Sequence, residues 1–235
     1  MKYKYILLDI DGTLVDFDES FKAASRKILE LDQTPATDEN INTYYRINDD
    51  AWFGLDMENV TNPYIIQNYH SLYRQYIINA AVNSKKIMKL NSTPEELASW
   101  YEVQWAACSI PNRNALETCR LLSKEFTLCI ATNGLTAIQL NKLTQFNDYI
   151  THYFVSEDIG YIKPEHEYFE HILTTLVAKP EECLMVGDSL HNDIAGANAI
   201  YIDSCYYNPM CKTNNSGIIP TYEIGDFNEL LKIIN

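Results

Sequence analysis

Positive charge is scarce in this chain: 18 Lys and Arg stand against 32 Asp and Glu over 235 residues, a formal charge of -14. A surface so acidic repels nucleic-acid polymers and anionic membranes, so neither is expected as a partner. Long hydrophobic runs are also lacking. Lys2 and Lys4 are basic, but the apolar run that follows them stops at Asp9, far short of a signal-peptide core. No stretch approaches the length that spans a bilayer. The six cysteines show no CxxC spacing and no dense framework, which argues for reduced thiols and a cytoplasmic protein. Repeats, low-complexity tracts and linkers are absent as well. What is present is a 46% hydrophobic sequence, long enough to bury a full core as one domain or as one domain with a substantial insertion.

Apolar, β-rich runs recur at Tyr5 to Leu8, Phe126 to Ala131, His152 to Val155, Cys183 to Val186 and Tyr201 to Tyr206. In the second half they alternate with helical stretches at Asn112 to Lys124, Thr136 to Gln145, Glu165 to Leu176 and His191 to Asn198, with a last one near Asp226 to Ile234. That alternation predicts βαβ units and an α/β fold with a parallel sheet. Residues 16 to about 109 break the pattern. No strand-like run stands out there, aromatic residues are dense and the spacings are helical, with one helix start marked by Thr93-Pro94-Glu95-Glu96. This segment reads as a helical insertion whose aromatics form chiefly its own core.

In an open parallel sheet, ligands bind beyond the carboxyl ends of the strands. Three of the strands end in polar residues: Asp9 to Thr13, then Thr132-Asn133-Gly134, then Gly187-Asp188-Ser189. On extended backbone Asp9 and Asp11 project to the same side, and Asp188 would join them from another strand. Alone, each aspartate would serve as a cap or turn residue, Asp188 above all because a helix follows it. Clustered carboxylates instead call for a cation, and an oxygen-only donor set suits Mg²⁺. Thr132, Asn133 and Gly134 lie between a strand and a helix, where a hydroxyl and backbone N–H groups can hold an anion. Lys163, kept out of helix by Pro164, is the cation placed to neutralise a phosphate among these acids. Together the groups permit a carboxylate nucleophile, an acid–base carboxyl, a metal and fixed donors.

Four motifs stand in order: "DIDGT" from Asp9 to Thr13, "ATNG" with Thr132, Lys163 in "IKP", and "GDSLHND" with Asp188 and Asp193. In them the chain resembles the haloacid dehalogenase superfamily in its Mg²⁺-dependent phosphatase form. The resemblance implies a doubly wound, Rossmann-like core of residues 1–15 and 110–235, with a helical cap inserted at residues 16–109. It further implies that Asp9 is the nucleophile, forming an aspartyl phosphate, and that Asp11 is the general acid and base. Asp9, the Asp11 backbone carbonyl and Asp188 would hold Mg²⁺, Asp193 would support the metal shell or Lys163, and Thr132, the Asn133 backbone and Lys163 would hold the phosphoryl group.

"YYRINDDAW", "NGLTAIQLNKL", "SEDIGYIKPEHEYF" and "CYYNP" resemble, more narrowly, the nucleotidase branch that dephosphorylates nucleoside monophosphates, often pyrimidine ones. Tyr206, where that branch more often has Trp, and Gly54-Leu55-Asp56 in the cap depart from it. A 5'-nucleotidase acting on a small phosphorylated metabolite is therefore the expected function. A sugar phosphomutase, or a phosphatase for phosphoglycolate or a sugar phosphate, would use the same motifs. A non-catalytic phosphate-binding module is the reading from another class, and the intact reactive groups speak against it. In the cap, Asn48 and Trp52 stand one helical turn apart and could face the substrate pocket together, although packing is the ordinary role of such a Trp. His166 and His171 fit no zinc spacing, and His191 lies near Asp188 at the start of a helix.

Overall fold

Side chains on both faces of the central strands are apolar, as a sheet covered on both sides requires. In the computed structural model, which describes residues 2–234, the strands are β1 (Tyr5–Leu8), β2 (Thr127–Thr132), β3 (Ile150–Val155), β4 (Cys183–Gly187), β5 (Asp203–Tyr207) and β6 (Tyr222–Ile224). They form a wholly parallel sheet in the order β3-β2-β1-β4-β5-β6. The chain builds outward from β1 on one side, then returns and builds outward from β4 on the other. Between these halves the strand order reverses, and there the carboxyl ends of β1, β2 and β4 lie side by side.

Period-two alternation sorts the core into two layers. Ile6, Leu8, Leu128, Ile130, Leu184 and Val186 pack on one face with Ala115, Cys119 and Leu122 of α5 (Ala115–Leu122) and Leu230 of the last helix. Leu7, Cys129, Ala131 and Met185 pack on the other with Tyr168, Phe169 and Ile172 of α8 (His166–Leu176) and with Ala197. Helices on both faces make the fold doubly wound.

Residues cluster into two units. One comprises the chain up to Asp16, Pro111–Thr136 and Leu143 onward, and the other comprises Phe17–Ile110 with Ala137–Lys142. The second unit is built from α1 (Phe17–Leu31), α2 (Asp38–Phe53), α3 (Pro63–Met88) and α4 (Pro94–Ala107). Local sequence starts the last three of these helices. Thr37 accepts the Asn40 N–H, Asn62 accepts the Tyr64 N–H ahead of Pro63, and Thr93 and Glu96 form a reciprocal capping box. The interior is aromatic: Trp105 meets Phe17 and Phe21 edge-on, and Tyr76 meets Tyr101.

The sequence reading did not assign residues 137–142 to the helical unit. They belong there because the fully buried Lys142 holds its Nζ 4.0 Å from the Trp105 ring centroid, and Ser109 Oγ donates to the Lys142 carbonyl at 2.7 Å. Other differences are local. The strand β6 and the one-turn helix α7 (Ser156–Ile159) were missed because three or four residues carry too little periodicity. The helix expected from His191 to Asn198 is a π-helical turn, Leu190–Ala195, followed by one α-helical turn, Gly196–Ala199. The expected last helix is a 3₁₀ turn, Phe227–Glu229, and one α-helical turn, Leu230–Ile233. All six cysteines are free, and among the described residues no helix is long and apolar enough to cross a membrane.

Candidate active site

Beyond Leu8 the chain leaves β1 through a tight turn. The Asp9 N–H still donates to the Val186 carbonyl of β4 at 3.0 Å, while the N–H groups of Thr13 and Val15 fold back onto the Ile10 carbonyl. Gly12 takes a φ of +79° in this turn, and a Cβ there would lie 2.4 Å from Asp188 Oδ2. Glycine is required on both counts, conformation and space. Asn112 grips the turn from α5's approach, donating to the Gly12 and Thr13 carbonyls at 3.3 and 2.7 Å. Thr13 then locks β1 to β4: its hydroxyl donates to Asp188 Oδ1 at 3.1 Å and accepts from the Asp188 N–H at 3.0 Å.

Three carboxylates converge here. Asp9, Asp188 and Asp193 each offer an oxygen, and these oxygens lie within 4.8 Å of one another. The sequence reading grouped the Asp11 carboxylate with Asp9 and Asp188, and gave Asp193 the role of supporting the metal shell or Lys163. The structure puts Asp193 in the group and Asp11 beyond it, because the backbone turns at Ile10 and the strand alternation does not carry through to Asp11. The Asp11 charge still acts on Asp9. Capping falls to Ser189, which accepts the Asn192 N–H at 3.1 Å, so Asp188 is not the cap residue. Gly187 makes room for Asp193, since a Cβ there would sit 2.1 Å from Asp193 Oδ2.

Lys163 joins the acids. It is 2% exposed and Asp193 1%, so burial without partners would be prohibitive for either charge. All three ammonium protons are placed: on Asp193 Oδ1 at 2.6 Å, Asp9 Oδ1 at 2.7 Å and the Ala131 carbonyl at 2.7 Å. Burial disfavours the ammonium, but Asp193 and Asp9 overcome that and hold its pKa above the ordinary lysine value. Asp9 is pushed up to about 7, first by burial and then by the charges of Asp193 and Asp11, against the downward pull of Lys163. Burial and the charges of Asp9 and Asp193 likewise raise Asp188 well above the carboxylate range.

On the β2 side, Asn133 brackets the Lys163 backbone, accepting its N–H at 2.7 Å and donating to its carbonyl at 2.9 Å. Ser156 accepts the Gly134 N–H at 3.0 Å and the Glu157 carboxylate accepts the Thr136 N–H at 2.7 Å. Tyr168 donates to the Phe154 carbonyl at 2.7 Å, with the Thr132 carbonyl 3.5 Å away. Thr13, Asn112, Ser156 and Tyr168 were not singled out from the sequence. Thr13 lay within the first motif, but only the fold brings the others to the site. The structure sets Asn48 and Trp52 in the interior of the helical unit. Asn48 is buried, donating to the Tyr44 carbonyl and accepting from Tyr76, and the half-buried Trp52 packs edge-on against Tyr69, Tyr73 and Tyr76 with its N–H on Glu58.

Three carboxylates against one ammonium leave negative charge uncompensated in an all-oxygen donor set. That chemistry fits a hard divalent cation.

The family model for haloacid dehalogenase-like hydrolases matches residues 3–200. HAD-hydrolase YfnB of Bacillus subtilis is 29% identical over 240 aligned residues, covering all of this chain and 96% of that protein. Its crystal structure, described as bound to magnesium, superposes with a TM-score of 0.78 at 28% identity and full coverage of both chains. The pyrimidine 5'-nucleotidases PynA of Streptococcus pneumoniae and YjjG of Escherichia coli are 28% and 26% identical, each over the whole of this chain and 96% and 99% of their own.

Proposed function

The chain belongs to the haloacid dehalogenase-like hydrolases, and from that premise we propose that it is a Mg²⁺-dependent phosphomonoesterase acting on nucleoside 5'-monophosphates, pyrimidine ones foremost. The observation that carries the chemistry is Asp9 at the tip of the central strand, oriented by Lys163 and grouped with Asp188 and Asp193. The substrate class draws its support from the two pyrimidine 5'-nucleotidases, which match the chain from end to end.

In this reading Asp9, Asp188 and the Asp11 backbone carbonyl would hold the cation, with Asp193 supporting that group and Lys163. When bound, Mg²⁺ offsets the charge of the acids and of the phosphoryl oxygens. Lys163 fixes one oxygen of Asp9, so the carboxylate is oriented before substrate arrives. Asp9 attacks phosphorus, the ester P–O bond breaks, and Asp11 protonates the leaving oxygen. Asp11 then takes a proton from water as that water attacks the aspartyl phosphate, releasing inorganic phosphate and restoring Asp9. Thr132, the Asn133 backbone N–H and Lys163 stabilise the charge on the transferring oxygens.

The test is phosphate release from a panel of nucleoside monophosphates and sugar phosphates, with Mg²⁺ and with EDTA. Metal-dependent release, fastest for pyrimidine nucleotides, is the expected result, and Asp9→Asn should lower kcat by at least about a thousandfold while the circular dichroism spectrum is unchanged. No release from any of these esters sinks the proposal, and release only from sugar phosphates sinks its nucleotide part.

A further inference from the structure

Lys163 sits in a loop, between the end of α7 and the start of α8, that belongs to neither helix nor strand. Nothing in such a segment dictates where a long side chain ends up. The loop is nonetheless pinned to the end of β2, because the Asn133 carboxamide lies against the Lys163 peptide and completes a two-bond pair, Lys163 N–H to Oδ1 at 2.7 Å and Nδ2–H to the Lys163 carbonyl at 2.9 Å. The lysine then reaches back to the Ala131 carbonyl, two residues before Asn133, as well as to Asp9 and Asp193. Backbone and ammonium are thus both referenced to the same strand end, on which Thr132 and Asn133 also stand.

From this geometry, and resting on the phosphomonoesterase reading above, we propose that the Asn133 side chain is a positioning residue that acts on the reaction through Lys163. Both ends of its carboxamide are engaged by the lysine's peptide. Its contribution is to set the height of the ammonium over Asp9, independently of whatever its own backbone N–H does for the phosphoryl group. The pairing needs a donor and an acceptor at one planar tip, so Asp cannot replace it: a second carboxylate oxygen would face the Lys163 carbonyl, acceptor against acceptor.

The experiment compares Asn133→Ala and Asn133→Asp with wild type, alone and on a Lys163→Met background. The readouts are kcat, Mg²⁺ affinity and the dissociation constant of inorganic phosphate at saturating Mg²⁺. Each single substitution is expected to lower kcat by about 10- to 100-fold and to weaken phosphate binding about tenfold, with Mg²⁺ affinity changed less than about twofold. On Lys163→Met, Asn133→Ala should weaken phosphate binding no further, because the group it positions is gone. A purely structural role would repeat its loss in full on that background and overturn the proposal, as would wild-type kcat in Asn133→Ala. Should Asn133→Ala fail to fold by circular dichroism, Asn133→Asp, equal in volume and keeping the acceptor, carries the same comparison. A wild-type protein that neither hydrolyses phosphomonoesters nor binds phosphate overturns the functional reading and this inference with it. A working wild type with an inert Asn133 overturns the inference alone.

Discussion

At the scale of single residues, the site is shaped as much by missing side chains as by reactive ones. Gly187 adjoins the Asp193 carboxyl so closely that an added Cβ would fall 2.1 Å from Oδ2 and 2.2 Å from Cγ. Gly187→Ala must therefore displace a carboxylate that holds Lys163 by one oxygen and the Ser189 N–H by the other. Kinetics and urea unfolding of this variant should show kcat lowered at least about tenfold and stability lowered by about 1–3 kcal/mol. Gly217→Ala is the control. It meets nothing within 4 Å and suffers only from a φ of +77°, so it should cost about 1 kcal/mol and leave kcat alone. The two glycines look alike in sequence; their difference is a matter of what another strand or turn brings alongside. Asp193 teaches the same lesson from the other side, since its motif gave it a supporting role and packing placed it among the converging carboxylates.

At the scale of elements, local sequence accounts for where helices begin and tertiary contacts for how they are joined. Thr93 and Glu96 cap α4 by rules readable in four residues. The join between α1 and α4 rests on Asp32, 1% exposed, which accepts the N–H groups of Asn91 and Ser92 and the Thr34 hydroxyl, while Asn91 donates back to the Asp32 carbonyl. Burial works to raise the Asp32 pKa, but the donors from Ser92, Thr34 and Asn91 prevail and hold it below the usual value. A folded-state pKa below the unfolded one stabilises the protein above the unfolded value, near pH 4, and that contribution is lost as pH falls through the folded one. Asp32→Asn should accordingly cost about 1–3 kcal/mol at pH 7. Urea unfolding between pH 7 and pH 3 should show the difference between wild type and variant constant down to about pH 4 and shrinking below it. A difference that ignores pH would assign the loss to geometry and not to charge.

At the scale of the whole molecule, a chain carrying a charge of -14 concentrates three buried or half-buried carboxylates around one lysine, and under the proposed function that arrangement would link metal, protons and stability. Burial and neighbouring acids push Asp9 up to about 7 and Asp188 upward as well, whereas a cation needs both ionised. Protons and Mg²⁺ must therefore compete, and Mg²⁺ affinity should fall as pH is lowered through about 7. In thermal unfolding, Mg²⁺ should raise Tm more at pH 8 than at pH 6, EDTA should reverse the rise, and a hundredfold excess over Kd corresponds to about 2.7 kcal/mol. An equal shift at both pH values would place the ion away from Asp9. By itself the sequence determined the parallel α/β core, the helical character of the segment from residue 16 to about 109 and the candidates for the reactive groups, because strand and helix periodicities and the DIDGT, ATNG and GDSLHND signatures are local. Only the tertiary structure decided that residues 137–142 join the helical unit, that the carboxylate of Asp193 converges with those of Asp9 and Asp188 while that of Asp11 lies outside the group, and that Asn133 grips the backbone of Lys163. Those outcomes depend on where the chain turns after β1 and on which strand ends the sheet order brings together, and no local spacing encodes either.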